Sequence, residues 1–201
     1  MVFHKRDSGY QVNKDRWNFL KGFVFPPSRR EREQVDMAVT EMEALLKPMK
    51  QYRSGVANEV WPGLYIGDMK VARKYSELQR SGFTHVVNCV DGVVDVKIYT
   101  KRGMKYMGFR SLDIDTFDLS PYFSPAAEFI HTALGEKGKV LVHCHAGVSR
   151  SATIVLAYLM LKRNMHLVEA INTVKKKRCI YPNRGFIRQL VYLQKDLHGW
   201  I

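Results

Sequence analysis

Between residues 143 and 151 the sequence reads His-Cys-His-Ala-Gly-Val-Ser-Arg-Ser, which places a thiol, Cys144, six residues before a guanidinium, Arg150. Ahead of it, Lys139-Val140-Leu141-Val142-His143 is an apolar run of the kind found in a buried strand. Behind it, Ala152 to Leu161 is apolar on every side and long enough for a central helix. A loop that leaves a buried strand and enters a helix N-terminus offers backbone N–H groups without intrahelical partners, and the helix dipole adds partial positive charge. A phosphate dianion fits that need. His145, Ala146, Gly147, Val148 and Ser149 would curl round the anion, Gly147 permits a positive φ or a close backbone approach, and Arg150 can fork two phosphate oxygens. The same donors favour Cys144 as a thiolate, the form that attacks. His143 is placed to donate a hydrogen bond that fixes the loop, and Ser151 to hydrogen-bond the sulfur as it becomes a leaving group. A cysteine taken at random is usually buried and inert. Here five specified positions, His143, Cys144, Gly147, Arg150 and Ser151, coincide in a strand-loop-helix context, and the reading of a reactive thiol prevails.

Other elements must hold this loop. Ser28 with Glu31 three residues on, then Val35, Met37, Ala38, Met42, Leu45 and Leu46 on roughly one face before Pro48, predict an amphipathic helix. Val60 to Gly67 predicts two short strands about Pro62-Gly63, followed by a helix from about Met69 to Arg80. His85 to Val90 and Tyr106 to Phe109 read as strands. Tyr122 to Leu134 reads as a helix with Phe123, Ala126, Ala127, Ile130 and Leu134 inward, and helices are expected at about 167–177 and 184–198. The alternation points to an α/β fold, a sheet covered by helices. The first 27 residues end in Pro26-Pro27 and read as a linker or docking segment.

Composition narrows the function classes. The 201 residues, 46% hydrophobic and 25% charged, suit one soluble globular domain with an extension. No apolar run is long enough for a membrane span, and Met1 to Lys14 is too polar for a secretory signal, so a cytoplasmic or nuclear location is expected. Three cysteines, Cys89, Cys144 and Cys179, fit neither a disulfide framework nor a zinc site of cysteine pairs, and Cys89 and Cys179 read as packing residues. The net charge of +13 favours acidic partners. Eleven basic and seven acidic residues precede Gly55, and 21 and 12 follow it, so the excess is not confined to a tail and no nucleic-acid partner is expected.

The segment His-Cys-x-x-Gly-x-Ser-Arg-Ser resembles the signature loop of protein tyrosine phosphatases in its dual-specificity form. The resemblance covers about Val56 to Leu197, with agreement at Trp61-Pro62-x-Leu-Tyr-Ile-Gly, Tyr122-Phe123, Ser149 to Met160 and Pro182-Asn183-x-Gly-Phe. Together these are most similar to the small atypical dual-specificity phosphatases without a rhodanese-like domain, in the subgroup expressed in muscle and testis. The resemblance implies a central, mostly parallel twisted sheet flanked by helices, a catalytic domain over 56–201, and a basic helical extension over 1–55. It implies hydrolysis of phosphotyrosine and phosphoserine or phosphothreonine in proteins through a cysteinyl-phosphate, with no cofactor and no metal, and mitogen-activated protein kinases among the substrates. It also implies an aspartic acid that protonates the leaving oxygen and then activates water. Asp113, Asp115 and Asp118 are candidates: counting ten residues back from Phe123 reaches Asp113, and a two-residue gap selects Asp115. Arg178, four residues before Pro182-Asn183, matches a position that holds a second phosphate in relatives, although Lys175 to Arg178 also reads as a solvated helix end. His145 either raises the local positive potential or points into solvent.

Two rival functions share these residues. The same loop serves phosphoinositide and RNA phosphatases, but lipid-directed loops place lysines between the Cys and the Arg, and none occurs here. A phosphoprotein-binding scaffold without turnover is the other, against which the intact Cys144, Arg150 and Ser151 argue. Residues 1–55 are open to three roles: docking arm, dimer contact, or a helix packed on its own domain.

Overall fold

A computed structural model describes residues 27–46, 54–92 and 96–200. Five short strands, β1 (Asn58–Trp61), β2 (Leu64–Gly67), β3 (His85–Asn88), β4 (Lys105–Gly108) and β5 (Val140–His143), form one sheet in the order β1-β2-β5-β3-β4. The β1–β2 hairpin is antiparallel and turns at Pro62-Gly63, while every other pairing is parallel. All four residues of β3 and of β5 are buried, which is why these strands read as continuous apolar runs and not as alternating ones. Gly67, Asn88 and Gly108 share one end of the sheet with His143, through the registers Gly67↔His143, Asn88↔His143 and Asn88↔Gly108. The loop after His143 therefore emerges from the middle of the sheet at the carboxyl end of its parallel strands, where open α/β sheets place their ligands.

Helices α1 (Arg29–Leu45), α2 (Met69–Ala72), α3 (Tyr75–Arg80), α4 (Val96–Thr100), α5 (Phe123–Gly135), α6 (Arg150–Arg163), α7 (Leu167–Lys175) and α8 (Arg184–His198) complete the α/β architecture expected from the sequence. Residues 151 to 160 of α6 are all buried, so the helix that follows the loop is fixed on every side. Among the described residues no helix is long and apolar enough to cross a membrane.

α1 is capped as expected, with Ser28 Oγ accepting from the Glu31 N–H at 3.1 Å. It buries Val35, Ala38, Val39, Met42 and Leu46 in the common core, and ion pairs Glu31–Lys195, Asp36–Arg188 and Glu43–Arg184 lay it along α8. Of the three roles open to this helix, packing on its own domain is the one the structure displays. Met37, expected inward, is 66% exposed; Val39 takes the core position in its place. The single helix expected over Met69 to Arg80 is two helices broken at Arg73–Lys74. The break is sustained by Tyr99, whose hydroxyl donates to the Ala72 carbonyl at 2.7 Å. α4 has no counterpart in the sequence reading, Ala133 displaces Leu134 as the buried residue of the last turn of α5, and α7 stops two residues short of Lys177. The linker or docking segment read into residues 1–27 lies, but for Pro27, outside the described residues.

Candidate active site

Cys144 is the first residue beyond β5 and is buried, and its sulfur accepts the Gly147 N–H at 3.1 Å. Ser151 Oγ, on the first turn of α6, lies 3.3 Å from the same sulfur, within hydrogen-bonding reach of it. Gly147 has φ +70°, and a Cβ there would fall 2.4 Å from the Gly67 carbonyl oxygen and 2.5 Å from Arg178 Nη2, so glycine is required both by conformation and by space.

The outward side of the loop is held carbonyl by carbonyl. The Met69 N–H donates to His145 O (3.0 Å), Arg178 donates to Ala146 O (Nη2, 3.4 Å) and Gly147 O (Nε, 2.7 Å), and the Tyr181 N–H donates to Val148 O (2.9 Å). A trans peptide points its carbonyl and its N–H in opposite directions. Fastening four successive carbonyls outward therefore turns the N–H groups of residues 146 to 149 inward, and the Gly147 contact to sulfur shows one of them doing so. Inward amides of this kind give the loop the geometry of an anion-binding concavity, and its aim is fixed by α2, by Arg178 and by the segment leading to α8.

Arg178 does not occupy the position expected of a second phosphate site. It is 5% exposed, and besides the two loop carbonyls it donates through Nη1 to Val56 O (2.9 Å) and Asn58 Oδ1 (2.7 Å). The solvated helix-end reading fails as well, because the chain turns this residue under the loop as α7 ends. Its charge also acts on Asp68. Burial raises the Asp68 pKa, but the N–H groups of Val71 and Gly55, the Ser54 hydroxyl and the Arg178 charge outweigh it and hold the carboxyl below its ordinary value.

Of the three candidate acids, Asp113 alone is bonded to the loop. Its Oδ1 accepts from Ser149 Oγ (2.6 Å) and from Asn183 Nδ2 (2.9 Å), and its Oδ2 lies 3.4 Å from Arg150 Nε. Arg150 Nη1 donates to Ser111 O at 3.0 Å, while its buried Nε has no hydrogen bond of normal geometry. The guanidinium thus holds Nε toward the Asp113 carboxylate without a close hydrogen bond, a donor that an oxyanion in the loop would satisfy. Asp115 is drawn instead toward α8: the Gly185 N–H approaches its Oδ1 at 3.4 Å, and a Cβ on Gly185 would lie 1.9 Å from the Asp115 carbonyl oxygen. Asp118 is engaged within its own segment, accepting the Ser120 N–H (3.1 Å) and hydroxyl (2.6 Å).

His143 is fully buried, and burial pushes its pKa down to about 4, opposed in part by the Cys144 backbone and the Asp68 charge. The ring is neutral at physiological pH. Neither ring nitrogen makes a hydrogen bond of normal geometry, and the loop group that acts on the ring is the backbone of Cys144. His145 is exposed, in accord with the solvent-facing alternative. Cys89 is fully buried next to the site. Burial, and secondarily the Cys144 charge, raise its thiol well above the ordinary value against the pull of Arg150, so it remains a packed, protonated thiol.

Three residues of the site, Asn183, Ser111 and Asp68, had no site role in the sequence reading, and Ser149 had only part of its own. Asn183 caps α8 through Oδ1 (Phe186 N–H, 2.9 Å) while its amide nitrogen orients Asp113, and an asparagine directly before a predicted helix was a legible signal for the first role only. Ser149 was read as loop backbone, yet its hydroxyl joins Asp113 to the Asn183 N–H (3.2 Å). Ser111, whose carbonyl holds Arg150 and whose hydroxyl donates to Cys89 O (2.6 Å), carried no signal, and neither did Asp68.

Residues 64–196 match the family model for the dual specificity phosphatase catalytic domain. Human dual specificity protein phosphatase 26 is 49% identical over 164 residues, 79% of this chain and 76% of the relative. Among solved structures, the human tyrosine phosphatase-like serine/threonine/tyrosine-interacting protein superposes with TM-score 0.63 at 33% identity, over 70% of this chain and 96% of its own. A mouse putative dual specificity phosphatase complexed with zinc tungstate superposes with TM-score 0.66 at 29% identity, over 75% and 94%.

Proposed function

The chain belongs to the dual specificity phosphatase family, and on that premise we propose that it hydrolyses phosphotyrosine and phosphoserine or phosphothreonine esters of proteins by way of a phosphoryl group carried on Cys144. The Cys144 thiolate attacks phosphorus in line, the S–P bond forms as the P–O ester bond breaks, and the Asp113 carboxylic acid gives its proton to the departing oxygen. Water then attacks phosphorus, its proton passes to the Asp113 carboxylate, and the thiolate leaves, stabilised by the Ser151 hydroxyl. Arg150 and the inward amides meet charge on the equatorial oxygens throughout, an electrostatic contribution that needs no rearrangement at the moment of reaction.

The observation that carries this reading is the Gly147 N–H aimed at the Cys144 sulfur while the carbonyls on either side of it are fastened outward. Asp113 is proposed as the acid over Asp115 because Ser149, Asn183 and Arg150 all converge on it. On the family resemblance, mitogen-activated protein kinases are the first substrates to examine. A lipid substrate is disfavoured by the absence of lysine between Cys144 and Arg150.

The test is hydrolysis of an aryl phosphate, phosphopeptides and phosphoinositides by the full chain and by Cys144→Ser. Turnover of the aryl phosphate and phosphopeptides, lost in the variant, is expected. Faster release from phosphoinositides than from any phosphopeptide would replace the protein substrate, and no turnover of any ester would leave a binding module.

A further inference from the structure

Three of the seven large apolar side chains that stand exposed among the described residues gather at one place. Leu112 (54% exposed) and Ile114 (48%) flank Asp113, and Tyr181 (45%) belongs to the segment whose backbone is fastened to the loop. Leu112 and Ile114 are tied to the pocket through Asp113, which Ser149 and Asn183 hold and which lies 3.4 Å from Arg150. Tyr181 is tied to it through its own N–H, which donates to Val148 O at 2.9 Å. The buried neighbours Ser111 and Ile180 take up the inward-facing positions of these two segments. Exposed apolar clusters of this kind on a folded domain mark contact surfaces.

Three of the cations near this rim are committed elsewhere. Arg150 turns into the pocket, Arg178 is buried beneath the loop, and Arg184 pairs with Glu43. Arg110, Asp115, Asp118, His145, Lys176 and Lys177 are further exposed ionisable groups close by in the chain, of both signs.

We propose that Leu112, Ile114 and Tyr181 form a substrate-reading rim that takes apolar or aromatic side chains on the residues flanking the phosphorylated one, and that the site does not read a second phosphate. This deepens the phosphoprotein reading above and rests on it. When a phosphorylated side chain fills the pocket, the extended backbone carrying it crosses the mouth. Neighbours one and two residues away then stand about 3.4–7 Å along the chain. Covering part of an apolar side chain on each partner is worth about ten-fold in kcat/KM.

The experiment uses the full chain and a set of phosphotyrosine and phosphothreonine peptides whose flanking residues are Leu and Phe, Ser, or Glu, with or without a second phosphothreonine. An aryl phosphate is run in parallel to correct for active fraction. Leu- and Phe-flanked peptides are expected to exceed Ser-flanked ones by about ten-fold through KM, with the advantage retained in high salt, where charge readout weakens. The second phosphate should give no gain. The combined variant Leu112→Ser, Ile114→Ser, Tyr181→Ser should reduce the apolar-to-serine ratio toward unity. Equal or better turnover of Glu-flanked or doubly phosphorylated peptides by the wild type overturns the proposal, as does a ratio that survives in the variant. Wild-type turnover with a flat ratio sinks the rim alone, whereas no turnover of any phosphopeptide or of the aryl phosphate sinks the phosphatase reading and the rim with it.

Discussion

Replacing Arg178 with methionine keeps the aliphatic stem and removes every donor that now holds Ala146 O, Gly147 O, Val56 O and Asn58 Oδ1. A buried acceptor that loses its partner costs about 1–3 kcal/mol. The two short carbonyl bonds, from Nε to Gly147 and from Nη1 to Val56, dominate, and removing the cost of a buried guanidinium returns part of the loss. A net destabilisation of about 3 kcal/mol follows, which for a chain of this size lowers Tm by about 6–12 °C. With the loop carbonyls unmoored the inward amides lose their aim, and misplacement of about 1 Å costs up to about a hundred-fold in rate. Arg178→Met should therefore lower both the melting temperature, followed by circular dichroism, and kcat/KM for a small aryl phosphate, by about ten-fold or more. A cation that reads a second phosphate on the substrate would behave otherwise. If the variant melts within about 1 °C of wild type and loses activity on doubly phosphorylated peptides alone, the internal brace is refuted.

Asp113→Asn should lower kcat by about 10²–10⁴ on alkyl phosphates, and less on aryl phosphates whose leaving group needs little protonation, as stopped assays across a leaving-group series would read. Gly185→Ala forces a Cβ into the Asp115 carbonyl; it should reduce kcat while inhibition by inorganic phosphate stays near wild type, because the acid segment shifts and the loop does not. His143 gives a stability term with a definite sign. Its folded pKa of about 4 lies below the ordinary 6.5, so the unfolded chain binds more protons between those values. The contribution is complete above about pH 6.5 and is lost as pH falls toward 4, by at most about 3 kcal/mol. Urea melts of His143→Gln against wild type over that range should show a shallower pH slope in the variant.

The loop was legible in the sequence because its parts are contiguous: β5, Cys144 to Ser149 and α6 follow one another, and each carries its own local signature. α8 was legible for the same reason, bounded by Asn183 and Gly199. What stayed hidden depends on pairs distant along the chain. Asp113 meets Ser149 and Asn183 across 36 and 70 residues, and nothing local distinguishes it from Asp115, which is exposed like it. Arg178 follows three lysines and shares their composition, yet it alone of the four is buried, because α7 ends at Lys175 and the chain then passes under the loop. The break at Arg73–Lys74 has no glycine or proline to announce it, since the Tyr99 hydroxyl that sustains it comes from 27 residues away.

The claim beneath all of this is that the Cys144 sulfur carries the phosphoryl group. Rapid acid quench during turnover of a ³²P-labelled phosphopeptide, followed by peptide mapping of the protein, tests it directly. The account expects label on the peptide containing Cys144, appearing before free phosphate and absent in Cys144→Ser. Label on any other residue, or phosphate release that persists in Cys144→Ser, would contradict it.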